Sequence, residues 1–279
     1  MNIGIRLHDT APGTLSQRLG FARAQGFTCA HVALSKCLPD FDMADAPRRL
    51  DDALAAAVRA EFAAAGMDFA VLGCYLRLAR RDAEALARTQ AVYAAHLRFA
   101  AKAGARVVGT ETPAGDLRFD RPAWESEAAL NFFIECARPV ARAAEKAGAV
   151  LAIEPVVDHI VSTPERAERV LDALGSDHVA IILDAVNLLS TARIDEAETV
   201  IDEALRRLGD RVRVLHMKDY LPDPAAARPR ELACGQGVMR YEKLLRFAAS
   251  REIPMTLENT TPETAEAARL CLVDAAARL

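Results

Sequence analysis

The sequence predicts an α/β protein, a (β/α)8 TIM barrel formed as one domain over residues 1–279, and three observations carry that prediction. Short apolar or β-branched runs alternate eight times with Ala/Leu/Arg/Glu-rich segments whose apolar residues recur at helical spacing. Glycines (Gly26, Gly66, Gly104 and Gly148) stand just past helical patterns and just before strands, where a left-handed residue stops a helix. No GxGxxG follows the first strand and no GxxxxGK[ST] occurs, which argues against the open nucleotide-binding sheets that share the alternation.

Strands are expected near 2–7, 29–34, 68–74, 106–111, 150–154, 179–184, 212–217 and 254–258. Helices are expected near 15–25, 51–65, 83–103, 125–147, 165–174, 195–208, 241–250 and 263–277. Thr163-Pro164-Glu165 and Thr261-Pro262-Glu263 each offer a capping oxygen, a proline for the first turn and an acid facing the positive end of the helix dipole. Strand–helix alternation implies parallel pairing with crossover helices over the sheet. The Pro/Ala-rich stretch Pro222–Pro229 lies between the seventh strand and its helix and reads as a long loop on the catalytic face. Phe21, Phe27, Phe62, Phe69 and Phe99 read as core, and the single Trp124 leaves little aromatic surface for stacking.

Composition narrows the function. Net charge is −4 with acids and bases interleaved, which provides no footprint for nucleic acid. Apolar runs break well short of the ~20 residues of a membrane span. The first residues read directly as a strand, without a secretory leader, so a cytoplasmic location is expected. Six scattered cysteines form no CxxC pair and are expected as free thiols, Cys74 as packing. A small polar substrate is the remaining class of partner.

The active site of such a barrel lies at the C-terminal ends of its strands. There the fifth strand ends in Ile153-Glu154, the sixth in Leu183-Asp184, the seventh in Leu215-His216 and the eighth in Leu257-Glu258. The intervals of 30, 32 and 42 residues are each about one βα unit, the last lengthened by the proline-rich loop. Side chains alternate across a strand, so these four share a face with Ala152, Ile182, Val214 and Thr256. Three carboxylates and an imidazole suit one divalent metal ion, Mn²⁺ or Mg²⁺ first, with Co²⁺ and Zn²⁺ as alternates. Taken singly, each residue is as readily a polar strand end.

At these residues the sequence resembles the sugar phosphate isomerase/epimerase family of the xylose-isomerase-like TIM barrel superfamily. The resemblance is carried by Ala152-Ile153-Glu154-Pro155, Ile182-Leu183-Asp184, His216-Met217-Lys218-Asp219, Gly235-Gln236-Gly237 and Leu257-Glu258-Asn259. It implies that Glu154, Asp184, His216 and Glu258 bind one cation and that Glu154 and Glu258 move protons. Many sugar epimerases of this group carry histidine three residues after the aspartate, where this chain has Asn187. Asparagine still hydrogen-bonds a hydroxyl, so substrate binding is expected there, with substrate identity left open.

The expected chemistry is isomerisation or epimerisation of a small sugar or sugar phosphate, by proton abstraction beside a carbonyl through a metal-stabilised ene-diolate. Glu154 and Glu258 would act from opposite sides of the carbon. Lys218, two residues beyond His216, would face the same interior and neutralise an anion; a loop lysine paired with Asp219 is the alternative. His8, Glu111 and His159 are further substrate-binding candidates, as is Arg6 more remotely. The Gly235–Gly237 turn is either a plain tight turn or a phosphate cradle. Rival readings are a dehydratase of an inosose-like keto-polyol and a sugar-binding barrel without catalysis. A phosphodiesterase like the apurinic endonucleases is disfavoured by the histidine count of six. Barrels of this group often pair, so a homodimer is left open.

Overall fold

The computed structural model describes residues Met1–Leu279. Its strands are β1 (Ile3–Arg6), β2 (Cys29–Val32), β3 (Asp68–Gly73), β4 (Val107–Thr110), β5 (Leu151–Ile153), β6 (Val179–Asp184), β7 (Val212–Met217), β8 (Asp219–Leu221), β9 (Arg230–Leu232) and β10 (Met255–Leu257). Eight of them close a parallel barrel in the order β1-β2-β3-β4-β5-β6-β7-β10, with β10 pairing back onto β1. The helices are α1 (Leu15–Ala24), α2 (Leu34–Cys37), α3 (Ala46–Arg49), α4 (Asp52–Ala65), α5 (Ala83–Ala103), α6 (Glu127–Ala147), α7 (Pro164–Leu174), α8 (Ala197–Leu208), α9 (Glu242–Arg251) and α10 (Ala265–Ala276). None is long and apolar enough to cross a membrane.

Local chemistry explains most boundaries. Thr163 accepts a hydrogen bond from the Arg166 amide with Pro164 in the first turn of α7, as its sequence requires. Gly148 ends α6 at φ +65°, a conformation that costs glycine nothing and any L side chain strain. The second threonine cap does not form. Thr264 competes for the backbone instead: its hydroxyl accepts from the Thr261 amide at 2.8 Å, a turn fills the gap, and α10 starts at Ala265.

Two cores result. The larger lies between strands and helices and takes every second strand residue, such as Ile181, Leu183, Leu215 and Leu257. The smaller fills the barrel interior with Cys29, Val71, Val107, Ala152, Ile182 and Val214 among others. Phe27, Phe62, Phe69 and Phe99 are buried, and Phe62 and Phe69 stack with centroids 4.4 Å apart. Phe21 departs from expectation: it lies on the outer side of α1 and is 41% exposed.

The proline-rich loop is more ordered than its composition suggests. Its flanks pair as an antiparallel hairpin, β8 with β9, in which Tyr220 opposes Glu231. This brings residues 228–232 back over the barrel mouth.

Candidate active site

Alternation along each strand decides what faces the mouth. Two residues beyond the interior layer of Ala152, Ile182, Val214 and Thr256 stand Glu154, Asp184, His216 and Glu258. Register aligns them further, since Asp184 is the direct partner of His216 across β6 and β7. One ligand atom from each of the four lies within 4.8 Å of all the others, and all four residues are buried. His216 Nδ1 is 3.2 Å from Glu154 Oε2 and 3.3 Å from Glu258 Oε1.

Lys218 continues the same face and is buried with them. Its Nζ lies 2.9 Å from Glu231, 3.1 Å from Asp184 and 3.6 Å from Glu258, and donates to Asn187 Oδ1 at 2.8 Å. Asp219 is not its partner. Asn187 in turn donates to Glu154 Oε1 at 2.7 Å, so this residue, expected to bind substrate, positions a carboxylate.

These charges set one another's protonation. Burial disfavours the imidazolium of His216, but Glu154 and Glu258 outweigh burial and raise its pKa to about 9. Burial pushes Asp184 up to about 6 against the pull of Lys218. Burial also acts to raise Glu258, yet His216, Lys218 and Arg6 together carry it down to about 2. On the opposite side of the mouth burial dominates: Glu111 rises to about 8, helped by Glu154 and Glu258, while His8, His31 and His159 are all lowered.

The donor set fits a divalent cation. His216 Nδ1 and Asp184 Oδ2 are buried with ion-pair neighbours but no well-formed hydrogen bond, a shortfall that an ion between them removes. Three carboxylates and one imidazole are the ligand types that hard, oxygen-preferring ions take.

A cavity of about 350 Å³ opens beside this cluster. Glu258 reaches its wall, as do Arg6, His8, Tyr75 and Glu111. His159 stands behind Glu111, its Nδ1 3.7 Å from Oε2, and lines an adjoining surface cleft rather than this cavity. Arg6 is held by Asp9 at 2.9 Å and Glu258 at 3.4 Å. Cys74 is fully buried, as a packing residue should be.

The Gly235–Gly237 turn already holds an anion, and that anion is Asp219. The amides of Gly235, Gly237 and Met239 donate to its carboxylate at 2.8–3.0 Å, and the Tyr241 hydroxyl at 2.7 Å. A Cβ on Gly237 would stand 2.5 Å from Asp219 Oδ1 and still nearer the Tyr220 carbonyl oxygen, so only glycine fits.

Sequence reasoning missed His31, Tyr75, Arg228 and Glu231. His31 stacks on His216 with centroids 5.3 Å apart, and Tyr75 Oη is 3.5 Å from Glu154 Oε2. A sign was present in Gly73 and Gly109. They occupy inward positions of β3 and β4, and a Cβ there would meet His31 Nε2 at 2.9 Å and the Tyr75 hydroxyl at 3.0 Å. Arg228 and Glu231 depend on the hairpin, which nothing in the proline-rich stretch announces.

Known proteins share this architecture. Among curated proteins no sequence match is found. Among solved structures, the chain is similar to apo 3-keto-D-glucoside 4-epimerase, YcjR, from E. coli, with 16% identity over 98% of this chain and 99% of that one and a TM-score of 0.74. IolI protein with a bound zinc atom matches at 16% identity and TM-score 0.74, covering 100% of this chain and 99% of the other. D-Psicose 3-epimerase with D-tagatose, from Clostridium cellulolyticum H10, matches at 14% identity and TM-score 0.74 with the same coverage. At such identities the likeness is one of fold. The family model for the xylose isomerase-like TIM barrel matches residues 19–273, and the chain belongs to that family.

Proposed function

We propose that this protein is a divalent-metal-dependent isomerase or epimerase of a small sugar. The observation that carries the reading is the gathering of Glu154, Asp184, His216 and Glu258 within 4.8 Å, with Glu258 on the wall of a sugar-sized cavity. Two of the structures sharing the fold are sugar epimerases by name, and another holds zinc.

Glu154, Asp184, His216 and Glu258 would hold the ion, of which Mn²⁺ or Mg²⁺ suits the donors best, with Co²⁺ and Zn²⁺ as alternates. When bound, it supplies the positive charge that makes a proton beside a carbonyl removable near neutral pH. Glu154 and Glu258 both stand beside His216 Nδ1, at 3.2 and 3.3 Å, with Glu258 on the cavity wall. Glu258, held ionised by His216, Lys218 and Arg6, takes the proton from the substrate carbon that enters beside it. Glu154 is steered by Asn187 and Tyr75 and can deliver a proton to the other face. Return to the same carbon inverts it; return to its neighbour interconverts ketose and aldose. Lys218 holds Asp184 and Glu258 in place, and His8 and Glu111 bind hydroxyls from the far wall.

The test is solvent-deuterium uptake into ketoses and aldoses. A chelator should stop it, Mn²⁺ or Co²⁺ should restore it, and Glu258→Gln should lower it by about 10²–10⁴ while sugar binding persists. Retained exchange in Glu258→Gln would remove that residue from the chemistry. A product lighter by one water would convert the assignment to a dehydratase.

A further inference from the structure

We infer that the substrate is a neutral, unphosphorylated sugar or polyol whose hydroxyls are read by His31, His8 and Tyr75, an inference that rests on the isomerase reading and deepens it. A phosphate ester needs either converging backbone amides or a cation with charge to spare. Apart from the ion itself, the side chains and backbone of the mouth offer neither. The glycine turn that could cradle phosphate has three amides and a tyrosine hydroxyl committed to Asp219 at 2.7–3.0 Å.

The cations are committed as well. Lys218 does not line the cavity, and its ammonium is held by Glu231 at 2.9 Å. Arg6 is divided between Asp9 and Glu258, and Arg228 donates to Glu231 at 2.7 Å and Asn187 at 2.8 Å with Asp158 at 3.7 Å. Only Lys36 on the cavity wall pairs with no carboxylate, and it is exposed to solvent, where it competes poorly for a buried anion. A phosphate here would also face the ionised Glu258. Beyond the ion, bringing a dianion into this surrounding means desolvating it without a partner among the side chains.

Neutral hydroxyls meet the opposite situation. Both nitrogens of His31, and Nδ1 of His8, are buried and lack any hydrogen-bond partner, and both residues line the cavity. Tyr75 adds a hydroxyl on the same wall. A neutral imidazole donates from one nitrogen and accepts at the other, which matches a sugar hydroxyl in either role. Buried unpaired polar atoms on a cavity wall are within reach of a ligand that completes them.

The decisive experiment compares D-fructose, D-tagatose and D-xylulose with D-fructose 6-phosphate, D-tagatose 6-phosphate and D-xylulose 5-phosphate on the Mn²⁺-loaded protein, by deuterium uptake and by calorimetry. The expected result is a kcat/KM at least about 100-fold higher for a neutral sugar than for its ester. Millimolar inorganic phosphate should neither bind nor inhibit. His31→Phe, which keeps the ring stack and removes both polar atoms, should raise KM for the neutral sugar about 10-fold or more and change kcat less. Faster exchange of the esters overturns the inference, as does competitive inhibition by phosphate that Lys36→Ala abolishes. An unchanged KM in His31→Phe removes that residue from recognition. Exchange into none of the six sinks the isomerase reading, and calorimetry still decides this one: tighter binding of an ester than of its parent sugar refutes it.

Discussion

Two layers of side chains, two residues apart on the same strands and facing the same axis, differ in almost every physical respect. The lower one, Ala152, Ile182, Val214 and Thr256, is apolar and closely packed but for the Thr256 hydroxyl, the one polar group in it. The upper one, Glu154, Asp184 and His216, is charged, equally buried, and holds atoms with no hydrogen-bond partner. Buried unpaired groups destabilise a fold unless something else completes them. The contrast teaches that the lower layer is kept for folding and the upper one for a ligand.

That division can be broken by exchanging the penalties. In the upper layer Glu154→Gln keeps shape and should reduce deuterium uptake by about 10²–10⁴, while the metal-free protein stays within about 1 kcal/mol of wild type because relief of Asp184 and Glu111 offsets the lost attraction to His216. Unfolding of this variant would make the upper layer structural after all. In the lower layer Ile182→Ala should cost about 2–5 kcal/mol of stability through the cavity it leaves under Asp184. Denaturant titration measures that loss, and a loss below about 1 kcal/mol would mean the interior is not tightly packed.

Metal sharpens the same comparison. An ion that binds only the folded protein stabilises it by about 2.7 kcal/mol at a concentration one hundred times its dissociation constant. Mn²⁺ should therefore raise the melting temperature of wild type and of Ile182→Ala alike, and fail to do so for Asp184→Asn. An equal rise in Asp184→Asn would place the ion elsewhere.

How much of this was legible in the sequence follows the same line. Strand ends were readable because the period of two places Glu154 with Ala152 and Asp184 with Ile182, and no tertiary knowledge is needed to count it. The α7 start was readable because Thr163 and Pro164 act on their own backbone. Thr261 misled because the bond runs the other way: the hydroxyl of Thr264, three residues on, accepts from the Thr261 amide. His31 was hidden since its meaning depends on its neighbour across the barrel, His216, which lies 185 positions away. Arg228 and Glu231 were hidden by a hairpin made of pairings between β8 and β9, which composition does not encode.

A third buried region provides the smallest expected effect and the cleanest control. His96, on α5, is fully buried, and its ring Nδ1 contacts the Val92 carbonyl at 2.9 Å while Nε2 has no partner. No carboxylate offsets its burial, so burial lowers its pKa to about 4 despite the Val92 carbonyl, whereas His216, as deeply buried among acids, is raised to about 9. The folded state thus prefers neutral His96, and its contribution to stability is complete above the unfolded value of about 6.5 and fades as pH falls toward 4. Between pH 7 and 5.5 the loss amounts to about 1 kcal/mol, which His96→Leu should not show. Parallel stability curves for the two proteins across that range would mean that His96 takes up its proton without penalty. In that case burial alone would not distinguish the helix shell from the mouth, and acids near His216 would no longer explain the difference between the two histidines.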